Sequence, residues 1–237
     1  IASTEGKKSR QIVEYGIEAL KAVWHRGAVD ADGKTGDGAG IHVEIPKDFF
    51  IEKIEVTGHD YDNAEICVGM IFLPRNDYAA QESCKTIVES ELTKNNFSIY
   101  GWRQVPVNSK VLGDKALQTM PEIIQVLFKS NDTNLLDKKL ERKIYETRKR
   151  IENKAFELSL NNFYVCSISS KSIIYKGLYL AVPGIPFNVD ILNELTIDRL
   201  KEINFIFGWV CPVYELPVFI SNLPAGEVVP IPTFWVK

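Results

Sequence analysis

Antiparallel sheet packed against helices, an α+β fold, is the architecture this chain predicts, and three observations carry the prediction. Apolar runs of strand length alternate with helical stretches in the order α, β, β, α, β, β, α, β, β. Neighbouring strands are joined by short links, which favours antiparallel pairing over repeated βαβ crossovers. Ala64–Pro74 is a nearly continuous apolar run, the pattern of a strand covered on both faces, and Glu122–Phe128 reads as another buried strand.

Taken in order, Ser9 stands where a helix cap is wanted, and Val13, Ile17, Leu20 and Trp24 recur at helical spacing to form one apolar stripe. His25–Gly40 then places five glycines in 16 residues, mixed with Arg26, Asp30, Asp32, Lys34 and Asp37. Neither a helix nor a strand suits that density, because glycine loses the most backbone entropy on folding; what it offers is positive φ and close backbone approach. The stretch is a shaped polar loop. Gly40–Pro46 reads as a strand stopped by proline, and Lys47–Asn63 as polar and irregular. Ala64–Pro74 reads as a central strand and Asn76–Asn95 as a helix capped by Asn76 or Asp77. Ser98–Pro106 is a strand in which Gly101 marks a bulge or a close approach. Asp114–Thr119 allows one or two helical turns before the strand Glu122–Phe128. Asn131–Leu158 is a long charged helix with Leu136, Leu140, Ile144 and Ile151 in its buried stripe. Phe163–Ile168 and Ser172–Lys176 read as the two strands of a hairpin across Ser169–Lys171.

The chain changes character at Val182. Residues 182–237 hold most of the 11 prolines, and Asn204–Lys237 is apolar with prolines too closely spaced for a central strand. Asp190–Ile203 has a helical pattern. The expected division is a compact domain over 1–181 and a proline-rich apolar tail over 182–237.

A net charge of -3 gives no field to attract nucleic acid or an acidic membrane. No apolar run approaches the ~20 residues that span a bilayer, and no signal peptide opens the chain. The four cysteines, Cys67, Cys84, Cys166 and Cys211, lack CxxC spacing; three of them sit in apolar or helical contexts, which reads as buried free thiols of a reducing cytoplasm. The glycine loop fits no generic ligand motif. Ala28–Thr35 has alanine where a Walker loop needs glycine and a helix where it needs a strand. Gly36–Gly40 leads into a strand rather than a helix, the reverse of a dinucleotide fingerprint. As an EF-hand the loop fails at Lys34, Thr35 and Ile41. His25, His42 and His59 share no helical face and no cysteine pair, so no metal site is expected. The basic run Lys138–Lys149 is interleaved with Glu141 and Glu146, as on a solvated helix face.

Several stretches in order resemble one family, the N-terminal class II glutamine amidotransferase domain of the glutamate synthase large subunit. The longest is EALKAVWHRGAVDADGKTGDGAGI, Glu18–Ile41. IPKDFF (Ile45–Phe50), VGMIFLPR (Val68–Arg75), GWRQVPVN (Gly101–Asn108), LGDKALQTMPEIIQV (Leu112–Val126), ERKIYETRKRIE (Glu141–Glu152) and FYVCSISSKSIIYKGL (Phe163–Leu178) follow. The resemblance implies the αββα sandwich of the Ntn hydrolases, antiparallel sheets lying between helical layers. It implies glutamine as substrate, attacked at its side-chain amide by an N-terminal cysteine whose α-amine serves as base, with ammonia released. It implies that the ammonia serves synthase domains of the same polypeptide, which use FMN, an iron–sulfur cluster and an electron-donating subunit or ferredoxin. None of these cofactors is assigned to this segment.

The resemblance also marks departures. The family opens on a Cys-Gly-Val-Gly-Phe segment and the residues here start at Ile1, so no catalytic residue is assigned and the segment is expected to be a truncated, inactive domain. No histidine follows His59, so the family's later His-Gln-Arg and His-Asn-Gly-Glu segments have no counterpart. A frameshift or chimeric join, or else a divergent tail, is expected after Ala181. What carries over is one pocket wall: His25, Arg26 and Gly27 match the motif beside the nucleophile, and Asp37 and Gly38 match the segment packed around the same pocket. Arg26 reads equally well as the ion-pair partner of Asp30, Asp32 or Asp37. Trp102 and Arg103 match a family motif and are assigned only packing and loop anchoring. A non-catalytic module that keeps the amidotransferase scaffold is the alternative to a glutaminase domain.

Overall fold

The computed structural model describes residues 9–23, 27–36, 38–107, 109–177 and 206–210. The elements run α1 (Arg10–Ala22), β1 (Ala39–Glu44), α2 (Lys47–Val56), β2 (Cys67–Leu73), α3 (Tyr78–Lys94), β3 (Phe97–Gln104), α4 (Asp114–Thr119), β4 (Glu122–Ser130), α5 (Asp137–Glu157), β5 (Tyr164–Ser169), β6 (Ser172–Gly177) and β7 (Ile206–Val210). All pairings are antiparallel. One sheet has the order β6-β1-β7 and the other β3-β4-β2-β5.

The strict alternation of β2 divides the core. Val68 and Met70 point into a cluster that also takes Ile41, Val43, Ile173 and Tyr175 from the other sheet, Leu20 from α1, and Phe49, Phe50 and Ile54 from α2. Cys67, Ile71 and Leu73 point the opposite way, into a second cluster with Cys84, Val88 and Leu92 of α3 and Leu140, Ile144 and Ile151 of α5. β2 is therefore apolar on both faces, β4 is so apart from the buried Gln125, and both lie inside their sheet.

Four expectations are corrected. Lys47–Val56 is a helix, not an irregular stretch: Phe49, Phe50 and Ile54 are driven into the inter-sheet core, and Asp48 stands in the first turn, where a helix favours negative charge. Ser9 is the residue before α1, but its side chain makes no capping hydrogen bond; at α3 the Asp77 carboxylate does accept from the Ala80 N–H at 2.9 Å. Leu136 is 57% exposed because it precedes α5 instead of belonging to its buried stripe. β5 and β6 are not a hairpin. They belong to different sheets, β5 beside β2 and β6 beside β1, and the Ser169–Ser172 turn carries the chain from one sheet to the other.

Within the stretch expected to hold no central strand, Ile206–Val210 is free of proline and pairs along one edge of β1, from Ala39 opposite Val210 to Val43 opposite Ile206. The helix expected at Asp190–Ile203 lies outside the described residues.

Gly101 sits at the register shift of β3 with φ +155°, and a Cβ built there would stand 2.9 Å from Thr57 Cγ2. Both the bulge and the close approach read from the sequence are present. Gly101→Ala is expected to destabilise the fold by about 1–3 kcal/mol, through backbone strain and overlap with Thr57, measured as a lower urea midpoint.

Candidate functional site

The glycine loop leaves α1 and returns as β1. His25, Arg26 and Asp37 lie outside the described residues; Gly27 and Gly38 are within them, at the two ends of the turn structure. Gly38 has φ +119°, a value that L side chains rarely adopt, and it turns the chain into β1.

Between these ends the loop is a small β-hairpin. Val29 bridges Gly36, the Asp30 N–H donates to the Thr35 carbonyl at 2.8 Å, and the Gly33 N–H donates to the Asp30 carbonyl at 2.9 Å. Gly33 takes φ +68° at the tip. Asp32 closes the turn as an Asx acceptor: its Oδ1 accepts from the Lys34 N–H (2.9 Å) and the Thr35 N–H (2.7 Å), while Oδ2 accepts from the Thr35 hydroxyl (2.5 Å). The Thr35 hydroxyl, the Thr35 and Lys34 N–H groups and the Lys115 N–H hold its carboxyl well below the usual carboxylate range. Asp30 accepts from Lys115 Nζ at 2.6 Å, and that bond lowers its pKa as well. Two of the three aspartates weighed as partners of Arg26, Asp30 and Asp32, are thus bound to Lys115, Thr35 and backbone donors; the third, Asp37, lies outside the described residues.

Among the described residues, the tip of the loop is pinned to the start of α4. Gly113 is buried beneath it, and a Cβ at Gly113 would collide with Asp32 Oδ2, Thr35 Oγ1 and the Thr35 nitrogen. α4 in turn is rooted in the inter-sheet core through Leu112 and Ala116, with Leu117 and Met120 packed against them. Sequence reading assigned no role to Gly113 or Lys115, because the contact joins segments far apart in the chain.

The remaining candidate side chains are structural. His42 is half-buried on β1, and burial lowers its pKa. His59 stacks edge-on against Tyr100, ring centroids 6.1 Å apart, with a ring nitrogen 3.1 Å from the Thr57 hydroxyl. Trp102 donates to Glu89 at 2.6 Å; Arg103 donates to Gln125 at 3.0 Å and lies over the Phe49 ring. Gln125 is fully buried and donates onward to the Tyr175 hydroxyl at 3.3 Å, so a polar chain links the two sheets.

Cys67, Cys84 and Cys166 are buried, unpaired thiols. Burial raises all three, Cys84 and Cys166 to about 11, and a thiol held protonated is a poor nucleophile. Among the described residues no group of three or more His, Cys, Asp and Glu side chains could hold a metal ion. No described helix is long and apolar enough to cross a membrane.

The family model for class II glutamine amidotransferases matches residues 1–199. The chain is 50% identical over 194 residues to the glutamate synthase [NADPH] large chain of Azospirillum brasilense, covering 82% of this chain and 13% of that protein. It is 38% identical over 197 residues to ferredoxin-dependent glutamate synthase 1 of Arabidopsis thaliana, covering 82% and 12%. It is 35% identical over 194 residues to ferredoxin-dependent glutamate synthase 2 of a Synechocystis strain, covering 81% and 12%. The chain thus spans about an eighth of the length of these relatives.

Proposed function

We propose, from the premise that this chain belongs to the class II glutamine amidotransferase family, that it is the glutamine-hydrolysing domain of a glutamate synthase. Its reaction is cleavage of the glutamine side-chain amide to glutamate and ammonia. The observation that carries this reading is the loop between α1 and β1, a hairpin fixed at its tip and turned into β1 at Gly38, in a chain half identical to a glutamate synthase large chain.

In this reading His25, Arg26, Gly27, Asp37 and Gly38 form one wall of the glutamine pocket. Arg26 and Asp37 offer charges complementary to the α-carboxylate and α-ammonium groups of the substrate. The buried thiols of Cys67, Cys84 and Cys166 do not suit the role of nucleophile. The αββα sandwich is supported by the inter-sheet core and by α3 and α5 packed on the outer face of the larger sheet. A division near residue 181 rests on the change in proline content alone; the family match runs on to residue 199 and Ile206–Val210 pairs with β1.

The longer protein would pass ammonia to a synthase domain drawing electrons from NADPH or ferredoxin, the donors in the relatives' names. FMN and an iron–sulfur cluster belong to that domain. The three described cysteines, each buried in a separate element, do not fit a cluster, and no step is assigned to these groups here. Buried free thiols support a reducing compartment.

The test is ammonia release by the full polypeptide that carries this chain. Release from L-glutamine and not from L-asparagine is expected, and Arg26→Lys is expected to lower kcat/KM by about 10²-fold through misplacement of substrate. No release from glutamine, or an Arg26→Lys enzyme as active as the parent, overturns the reading.

A further inference from the structure

The glycine loop is held from outside itself. Its hairpin tip meets the first turn of α4 through the Lys115 side chain on Asp30, the Lys115 N–H on Asp32, and the buried face of Gly113 against Asp32 and Thr35. Thr35 is only 6% exposed, and its hydroxyl has Asp32 as its acceptor. α4 is rooted in the inter-sheet core, and β1, which the loop feeds, contributes Ile41 and Val43 to that same core. The loop is therefore fixed at two points on one packed body, at Gly38 by its covalent continuation and at Asp32–Thr35 by a side-chain clamp. Gly113 has φ −74° and ψ 163°, ordinary extended backbone that alanine adopts freely. Glycine at this position therefore serves the approach of the loop and not the local conformation.

We propose that Asp32, Thr35 and Gly113 are positioning residues for glutamine: the clamp sets how far the loop wall stands from the substrate. This rests on the reading of the loop as a wall of the glutamine pocket. None of the three touches substrate; each acts through the position of the loop. A Cβ at Gly113 drives the Asp32–Thr35 turn off α4. Asn at position 32 keeps the Oδ1 acceptor for the turn but replaces the charged oxygen that takes the Thr35 hydroxyl. Val at position 35 removes that hydroxyl at nearly constant shape, while Ser keeps it.

The experiment measures ammonia release from L-glutamine by the full polypeptide, together with its melting temperature. Gly113→Ala, Asp32→Asn and Thr35→Val are each expected to raise KM for glutamine by about tenfold while kcat changes by less than about threefold, the signature of lost substrate binding. Thr35→Ser recovers most of the loss seen in Thr35→Val. A purely structural role would lower the melting temperature and leave KM unchanged. Wild-type release of ammonia with KM unchanged in all three variants overturns the clamp and leaves the glutaminase reading standing. Absence of release from the wild type overturns the glutaminase reading and the clamp with it.

Discussion

Phe128→Ala is expected to lower the stability of the fold by about 3–5 kcal/mol, the range for deleting a fully buried aromatic ring. Phe128 lies on β4, between β3 and β2, and is 0% exposed. It packs edge-on against Phe97 with centroids 5.3 Å apart and an interplanar angle of 87°. Its neighbours on that face are the strands and the two long helices α3 and α5, all braced by their own pairing, so the cavity cannot close. Phe128→Leu fills much of the space and costs less. The ring faces away from the inter-sheet core that roots α4 and β1. Folded Phe128→Ala protein therefore keeps its KM for glutamine, although its urea midpoint drops. An unfolding free energy within about 1 kcal/mol of wild type contradicts the packing assigned to this core.

Glu141→Ala is expected to cost about 3 kcal/mol, and its effect concentrates on one turn. The Glu141 carboxylate accepts from the Ser169 hydroxyl (2.9 Å), the Ser170 N–H (2.7 Å) and the Ser170 hydroxyl (2.8 Å). Ser170 is 1% exposed, so losing the acceptor leaves two buried donors unpaired at about 1–3 kcal/mol each, in part relieved by water. Ser169 Oγ accepts in turn from the Lys171 and Ser172 N–H groups at 2.9 and 3.3 Å. The carboxylate thus shapes the passage from β5 in one sheet to β6 in the other. Hydrogen exchange should show faster amides in Ser172–Gly177 than in β2 or β4, and the urea midpoint should fall. Glu141→Gln keeps one oxygen acceptor and is expected to lose about half as much. Unchanged exchange in β6 contradicts this role.

The same turn shows where local reading stops. FYVCSI and SIIYK around a short polar link look like a hairpin, and each segment is indeed a strand. Their separation into two sheets depends on Glu141, 28 and 29 residues from its two serine partners, and on the β2 and β1 edges that receive them. Apolar strand runs were legible because burial on both faces leaves a composition, as in β2 and β4. Gly101 was legible because a glycine in a strand marks a bulge or a close approach, and the structure has both. α2 was not, since only Phe49, Phe50 and Ile54 of its ten residues are buried and the rest are largely polar. The loop was legible as a shaped object from its glycines. Its clamp was not, since the Lys115 bond to Asp30 spans 85 residues.

The measurement that most directly tests the central claim is backbone hydrogen exchange of the full polypeptide with and without L-glutamine, read at residues 27–36. If the loop between α1 and β1 is a wall of the glutamine pocket, L-glutamine slows exchange across this hairpin and L-asparagine does not, while β4 is unaffected by either. Identical exchange at residues 27–36 under saturating glutamine, in protein that hydrolyses glutamine, contradicts the account.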